Sequence, residues 1–155
     1  MILPAHRIRE LCTTAYPMIE PFYERTEFQY RQYKLSYGLG PAGYDVRLAE
    51  RQLIMPQGFH LGSTLEEFRI PTYIMGIVHD KSTLARRGLT VQNTVIEPGW
   101  RGFLTLEITN HSTYIVELEE GTPIAQIVFH ELSDSTKQPY EGKYQDQERG
   151  PQGAR

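Results

Sequence analysis

The polar residues of HDKSTLARRGLTVQNTVIEPGWRGFLTLEITN, from His79 to Asn110, have types and spacings suited to phosphate binding and acid–base chemistry. Asp80 is placed to cap one helical turn over KSTLAR, and a helix start turns free N–H groups toward anions, so Lys81, Ser82 and Thr83 form a candidate phosphate cradle. Ser82 and Arg86 stand at i and i+4 on one helix face, which would aim a hydroxyl and a guanidinium into one cavity. The plainer reading of the same string is a solvated, capped turn. In GFLTLEITN, Leu104, Leu106 and Ile108 alternate with Thr105, Glu107 and Thr109, so Glu107 lies opposite the aliphatic row. A strand glutamate there ordinarily faces solvent; enclosed in a pocket it could shuttle protons, because burial raises a carboxyl toward neutrality. Glu97, before a Pro-Gly turn, could hydrogen-bond a sugar hydroxyl or cap the turn, and Trp100 could lie against a sugar ring or fill the core.

The elements that would position these residues are mostly strands. β-branched and aromatic runs at 44–48, 52–55, 59–62, 72–78, 89–93, 102–108, 113–118 and 123–129 are separated by turn residues. That rhythm predicts an all-β sandwich or barrel and not βαβ units. YIMGIV and IAQIVF are near-continuous and predict strands buried on both faces. Pro4 near a helix start, with Ile8 and Leu11 three apart, predicts one short N-terminal helix. Residues 13–43, rich in Tyr, Pro and Gly, read as extended chain and loops that cover something. Beyond Leu132 the apolar content falls away, so 133–155 reads as a mobile tail. Yet Tyr140, Lys143, Tyr144 and Gln147 in it are the donors and aromatics that a closing segment would need.

Composition narrows the class. At 155 residues the chain has the size of one domain, expected here over 1–132. A net charge of −3 argues against a nucleic-acid binder, while Lys81, Arg86, Arg87 and Arg101 concentrate cations locally, as a small anionic ligand would require. With 39% hydrophobic and 23% charged residues, no membrane-length apolar run and no secretory signal at the start, a cytoplasmic location without a membrane partner is expected. The single cysteine, Cys12, excludes an internal disulfide and a multi-cysteine zinc site and is expected to be buried.

Taken in order, MILPAHRI, GPAGYDVRL, the two central motifs around KSTLAR and Glu107, GTPIAQIVF and QPYEGKYQDQ resemble the superfamily that joins dCTP deaminases and trimeric dUTPases, over most of the chain. The resemblance implies a mostly β fold, a distorted barrel or jelly-roll-like core, assembled as a homotrimer with active sites between subunits. It implies that Ser82, Arg86 and Glu107 are catalytic, with Glu107 the general base and acid and the other two orienting water and stabilising charge. Lys81, Ser82 and Thr83 would bind phosphate oxygens, Glu97 would hold the sugar 3′-hydroxyl, and Trp100 would lie beside the deoxyribose. Asn93 and Thr94 sit in the hairpin that would read the base, and Thr105 shares the face of Glu107. Gln126, Tyr140, Lys143 and Gln147 are further triphosphate or base contacts, the last three as a lid. Mg²⁺ would arrive on the substrate triphosphate, and no zinc is implied.

Glu107 and the KYQDQ tail favour deamination of dCTP, and the glycine-rich RGxGGFGS-type motif of dUTPases is missing. A dUTPase, a bifunctional enzyme and a catalytically silent nucleotide-binding regulator are the alternatives, with dTTP a candidate inhibitor. The hairpin from Thr90 to Ile96 is shorter than in typical members, which leaves a modified pyrimidine open as the substrate.

Overall fold

The computed structural model describes residues 1–154; Arg155, the last residue of the expected tail, lies outside them. The elements are α1 (Ala5–Cys12), β1 (Ile19–Glu20), β2 (Thr26–Tyr30), β3 (Tyr33–Gly40), β4 (Gly43–Arg47), β5 (Gln52–Ile54), β6 (Phe59–Arg69), β7 (Ile74–Asp80), α2 (Ser82–Ala85), β8 (Leu89–Val91), β9 (Val95–Ile96), β10 (Arg101–Asn110), β11 (Val116–Leu118) and β12 (Pro123–Glu131). They form a six-stranded sheet of order β2-β3-β4-β12-β7-β9, a four-stranded sheet β1-β6-β10-β8 and a small pair β11-β5. The fold is mainly β with one short N-terminal helix, as expected. None of the three sheets closes on itself through its own ladder.

One core joins the two larger sheets. Leu35, Tyr44, Val46, Ile74, Ile127 and Phe129 come from the first and Ile19, Phe68, Leu106 and Ile108 from the second, all nearly inaccessible to water. Each such side chain contributes roughly 1.5–3 kcal/mol relative to leaving it exposed. A bridge from Leu48 to Thr64 ties the end of β4 to β6. Helix α1 starts after Pro4 and turns Ile8 and Cys12 inward. Burial pushes the Cys12 thiol up to about 12, so it is an inert packing group at neutral pH.

Two differences from the expected elements have identifiable causes. Residues 13–43 contain β1 and the β2–β3 hairpin and are not mere loop, because Phe28, Tyr30 and Leu35 pack on the core while the turn at Arg31 and Gln32 carries no Asn-Gly or Gly signal. Arg31 itself takes a left-handed φ of 52°, the place glycine or asparagine usually fills. Strand β6 runs on to Arg69, past the expected end at 62, because its charged stretch has a buried partner. Glu66 lies inside, accepting hydrogen bonds from the Arg47 backbone N–H at 2.9 Å and from Arg47 Nε at 2.8 Å. The Arg47 guanidinium is stacked between the rings of Tyr23 and Tyr37, 4.5 and 4.6 Å from their centroids.

Strands β7 and β12 were expected to be buried on both faces, and each is buried on one. Ile74, Gly76 and Val78 face inward, whereas Met75, Ile77 and Val128 on the other side are half-buried.

Candidate active site

A cavity of about 500 Å³ opens where the two large sheets part. Strand β8 pairs with β10, whereas β9 pairs with β7, so the chain crosses from one sheet to the other at Gln92–Thr94 and leaves a space beneath the crossing. Leu61, Val78, Ile96 and Leu104 supply its apolar wall, and Asn93, Thr94, Glu97, Thr105 and Glu107 its polar edge. Glu107 stands half-buried on this wall and not in open solvent.

The crossing also fixes the backbone of Glu107. Gln92 N–H donates to the Glu107 carbonyl at 2.8 Å. Beyond that point the side chain of Asn93 takes over the ladder: its Nδ2 donates to the Thr105 carbonyl at 2.7 Å and its Oδ1 accepts from the Glu107 N–H at 3.0 Å. Asn93 therefore lines the cavity, as the base-reading hairpin was expected to, and also supports the backbone of Glu107 through both ends of its amide. Trp100 fills the core and also reaches the cavity wall. It is 5% exposed and packs on Phe68, yet borders the cavity and donates from Nε1 to the Tyr144 carbonyl at 2.7 Å.

The tail expected to be mobile is laid over this cavity. Tyr140 N–H donates to the Pro98 carbonyl at 2.8 Å, Phe103 N–H to the Gln147 carbonyl at 2.9 Å, and Gln152 N–H to Thr105 Oγ1 at 3.0 Å. Gln147 Nε2 also donates to Thr105 Oγ1, and Asp146 pairs with Arg101, whose hydrogen bond holds the Asp146 carboxyl below its ordinary value. Tyr140, Tyr144, Gln147 and Gln152 all border the cavity; Lys143 does not, and its ammonium lies 5.2 Å from the Tyr144 ring. Two glycines of PGWRG make the seat. A Cβ at Gly99 would come within 2.6 Å of Pro139, and one at Gly102 within 2.6 Å of the Gln147 backbone nitrogen. Composition hides this docking because its bonds run largely through backbone and amide groups, which mark no periodicity. Gly102→Ala is expected to dislodge the tail: limited proteolysis should cut within 133–154 faster, with the melting temperature also lowered because the φ of 135° at this buried strand position strains any side chain. Unaltered cleavage would show that the tail is held elsewhere.

The phosphate candidates lie in a separate cavity. Lys81, Ser82 and Thr83 line a space of about 200 Å³ together with Arg25, Glu27, Lys34 and Ser36, and it shares no residue with the first. Asp80 does not cap the turn: its carboxylate accepts from the Val91 N–H at 2.7 Å, and the one-turn helix α2 follows Lys81 without a side-chain cap. Lys81 is held by Asp45, Nζ to Oδ2 at 2.6 Å, and the same buried carboxylate accepts from Ser36 Oγ at 3.2 Å and from Gln126 Nε2 at 3.3 Å. Arg86 is exposed and lines neither cavity, while Arg87 is anchored against the rings of Tyr30 and Tyr33, each at 5.4 Å. Within one chain, then, Glu97, Trp100, Thr105 and Glu107 come together, and Lys81, Ser82, Thr83 and Gln126 come together elsewhere. Ser82 and Arg86 are not brought to Glu107. The residues missed from sequence are Asp45, Arg25, Lys34 and Ser36; only Asp45, within the GYDVRL motif, carried a local signal. Among the described residues no three His, Cys, Asp or Glu side chains converge to hold a metal ion, and no helix is long and apolar enough to cross a membrane.

The family described as dCTP deaminase-like matches residues 44–132. A dCTP deaminase of Thermococcus sibiricus is 36% identical, over 94% of this chain and 92% of its own length. One of Pyrococcus horikoshii is 34% identical with the same coverage of both chains. Among solved structures, the 2′-deoxycytidine 5′-triphosphate deaminase of Agrobacterium tumefaciens superposes with a TM-score of 0.64 at 17% identity, over 83% of this chain and 47% of that one. The native dUTPase of EIAV superposes with a TM-score of 0.56 at 23% identity, over 81% of this chain and 98% of that one.

Proposed function

Since this chain belongs to the dCTP deaminase-like family, we propose that it deaminates dCTP to dUTP and ammonia without zinc, in sites shared between copies of the chain. The observation that carries this reading is the half-buried Glu107 on the wall of a nucleoside-sized cavity, its backbone held by Gln92 and Asn93. Glu107 takes a proton from water as the water oxygen bonds to C4 of cytosine. It passes that proton to the ring nitrogen N3, then takes the proton of the new C4 hydroxyl and delivers it to the amino group; the C4–N4 bond breaks, ammonia leaves and the C4 carbonyl of dUTP forms. Trp100 and Glu97 border the deoxyribose, and Thr94, Thr105, Gln147 and Tyr140 close around the nucleoside, with residues 133–155 acting as a lid on the domain of 1–132. Lys143 joins the triphosphate only if the lid shifts.

The separation of the two cavities supports an assembly in which Lys81, Ser82, Thr83, Arg86 and Gln126 of one copy meet Glu107 of the next. Leu53, Met55, Phe59, Tyr114 and Ile115 are exposed apolar side chains in and around the β5–β11 pair, and Phe59 also borders the large cavity. A second copy covering them, in a homotrimer, would bring its phosphate residues to that rim. Mg²⁺ would be carried by the substrate triphosphate and would supply charge neutralisation there. Asp45, the carboxylate beside Lys81, already accepts from three donors and fits a role as their anchor while the triphosphate carries the metal.

Chromatography of products from dCTP and from dUTP tests the reaction: dUTP from dCTP is expected. dUMP from dUTP alone would replace the reading with dUTP diphosphatase, and dUMP from both substrates would make the enzyme bifunctional. Subunit sharing has its own test. Glu107→Gln and Ser82→Ala chains, each inactive alone, are expected to recover about a quarter of wild-type activity when co-assembled in equal amounts, because one site in four then pairs two intact halves. No recovery would place both groups in one chain.

A further inference from the structure

We propose that the β2–β3 hairpin is a clamp for the terminal phosphate of the substrate, with Arg25 and Lys34 as the cations that bind it. This rests on the reading of Lys81, Ser82 and Thr83 as phosphate contacts and adds to it two residues that lie outside the matched region 44–132.

The cavity of about 200 Å³ is too small for a nucleoside and of a size for phosphate groups. Its floor is Lys81, whose side chain is only 11% exposed and is locked to Asp45. Its rim is the hairpin. Lys34 pairs with Glu27 at 3.1 Å, but both side chains are 69% exposed, so solvent screens the pair and an entering phosphate competes easily for the ammonium. Arg25, at the start of the hairpin, is exposed and lines the same cavity. The hairpin is not free to drift from the floor. Arg87, directly after Arg86, stacks against Tyr30 and Tyr33 at its tip, Tyr30 Oη donates to the Glu117 carbonyl at 2.7 Å, and Lys81 Nζ donates to Ser36 Oγ at 3.2 Å. A phosphate chain engaged by the buried Lys81 therefore extends toward Arg25 and Lys34, and a shorter chain stops before them. Glu27 holds Lys34 in place when the cavity is empty and repels the ligand when it is full.

Calorimetric titration of the full-length protein with inorganic triphosphate and with pyrophosphate tests the clamp. The exposed positions of both cations leave the core untouched. The Arg25→Gln/Lys34→Gln double variant is expected to bind triphosphate at least about tenfold more weakly, as loss of charge-assisted hydrogen bonds to phosphate predicts, with pyrophosphate affected far less. Glu27→Gln is expected to shift the other way and bind triphosphate severalfold more tightly. Equal loss for both anions, no change in the double variant, or weaker binding by Glu27→Gln would overturn the proposal. Turnover of dCTP with a KM indifferent to Arg25 and Lys34 would sink the clamp and leave the reaction standing. Cation-dependent triphosphate binding by a protein that turns over neither dCTP nor dUTP would do the reverse.

Discussion

Glu107→Gln is expected to lower the kcat for dCTP by about 10²- to 10⁴-fold, the usual contribution of a positioned acid–base group, while nucleotide binding changes little. Glutamine has the shape of glutamate and hydrogen-bonds, but its amide cannot take a proton from water. The backbone that presents residue 107 is held independently of the side chain, by Gln92 N–H on its carbonyl and Asn93 Oδ1 on its N–H. The cavity should therefore keep its form in the variant. Stopped assays of dUTP formation, beside calorimetric binding of dCTP, separate the two effects. If the variant keeps activity within a few fold of wild type, Glu107 is not the proton carrier and the chemistry must be sought elsewhere. Loss of binding together with loss of turnover would make Glu107 a substrate contact.

The second large effect concerns stability. Removing the Glu66 carboxylate by Glu66→Ala leaves the Arg47 guanidinium stacked between two tyrosines inside the protein without its counter-charge. Breaking a buried pair in this way costs about 3–5 kcal/mol. For a domain of this size that lowers Tm by roughly 10–15 °C. The charge-free double variant Arg47→Met/Glu66→Leu is expected to lose much less than either single change, because no unpaired charge remains buried. Thermal unfolding of the double variant beside Arg47→Met and Glu66→Leu alone measures this, and additive losses would show that the residues act by packing alone. Burial pushes the Glu66 carboxyl up from its ordinary value against the pull of Arg47. A carboxyl whose folded value is raised favours the fold below its unfolded value, and this contribution fades as pH rises through the folded one. Glu66→Gln should remove that part of the pH dependence.

Local patterns made much of this protein legible. Strands from Tyr44 to Phe129 followed from β-branched runs between turns, and α1 from Pro4 and the apolar positions after it. The β2–β3 hairpin escaped notice because Arg31 and Gln32 are not turn formers by type, and the left-handed φ at Arg31 is imposed by packing of the strands on either side. Asp80 looked like a helix cap because aspartate before a helical turn usually is one; a strand eleven residues further on competes for it, through Val91 N–H, and wins. The tail looked unstructured because docking by amides, backbone groups and one ion pair leaves no hydrophobic trace in its composition.

What the chain carried in its own order of residues was the chemistry available and the face on which each group stands: a carboxylate opposite an aliphatic row, a hydroxyl one helical turn from a guanidinium, one tryptophan beside a glycine turn. Those follow from periods of two and of about 3.6 residues, which are properties of neighbours along the chain. Which groups share a cavity depended on pairings between residues far apart in sequence, Val95 with Ile77, Ile108 with Val91, Gln147 with Gly102. Only the tertiary structure decided that Glu107 and Ser82 line different spaces and that Asp45 holds Lys81, because register between distant strands is set by burial of the whole core and not by any local run.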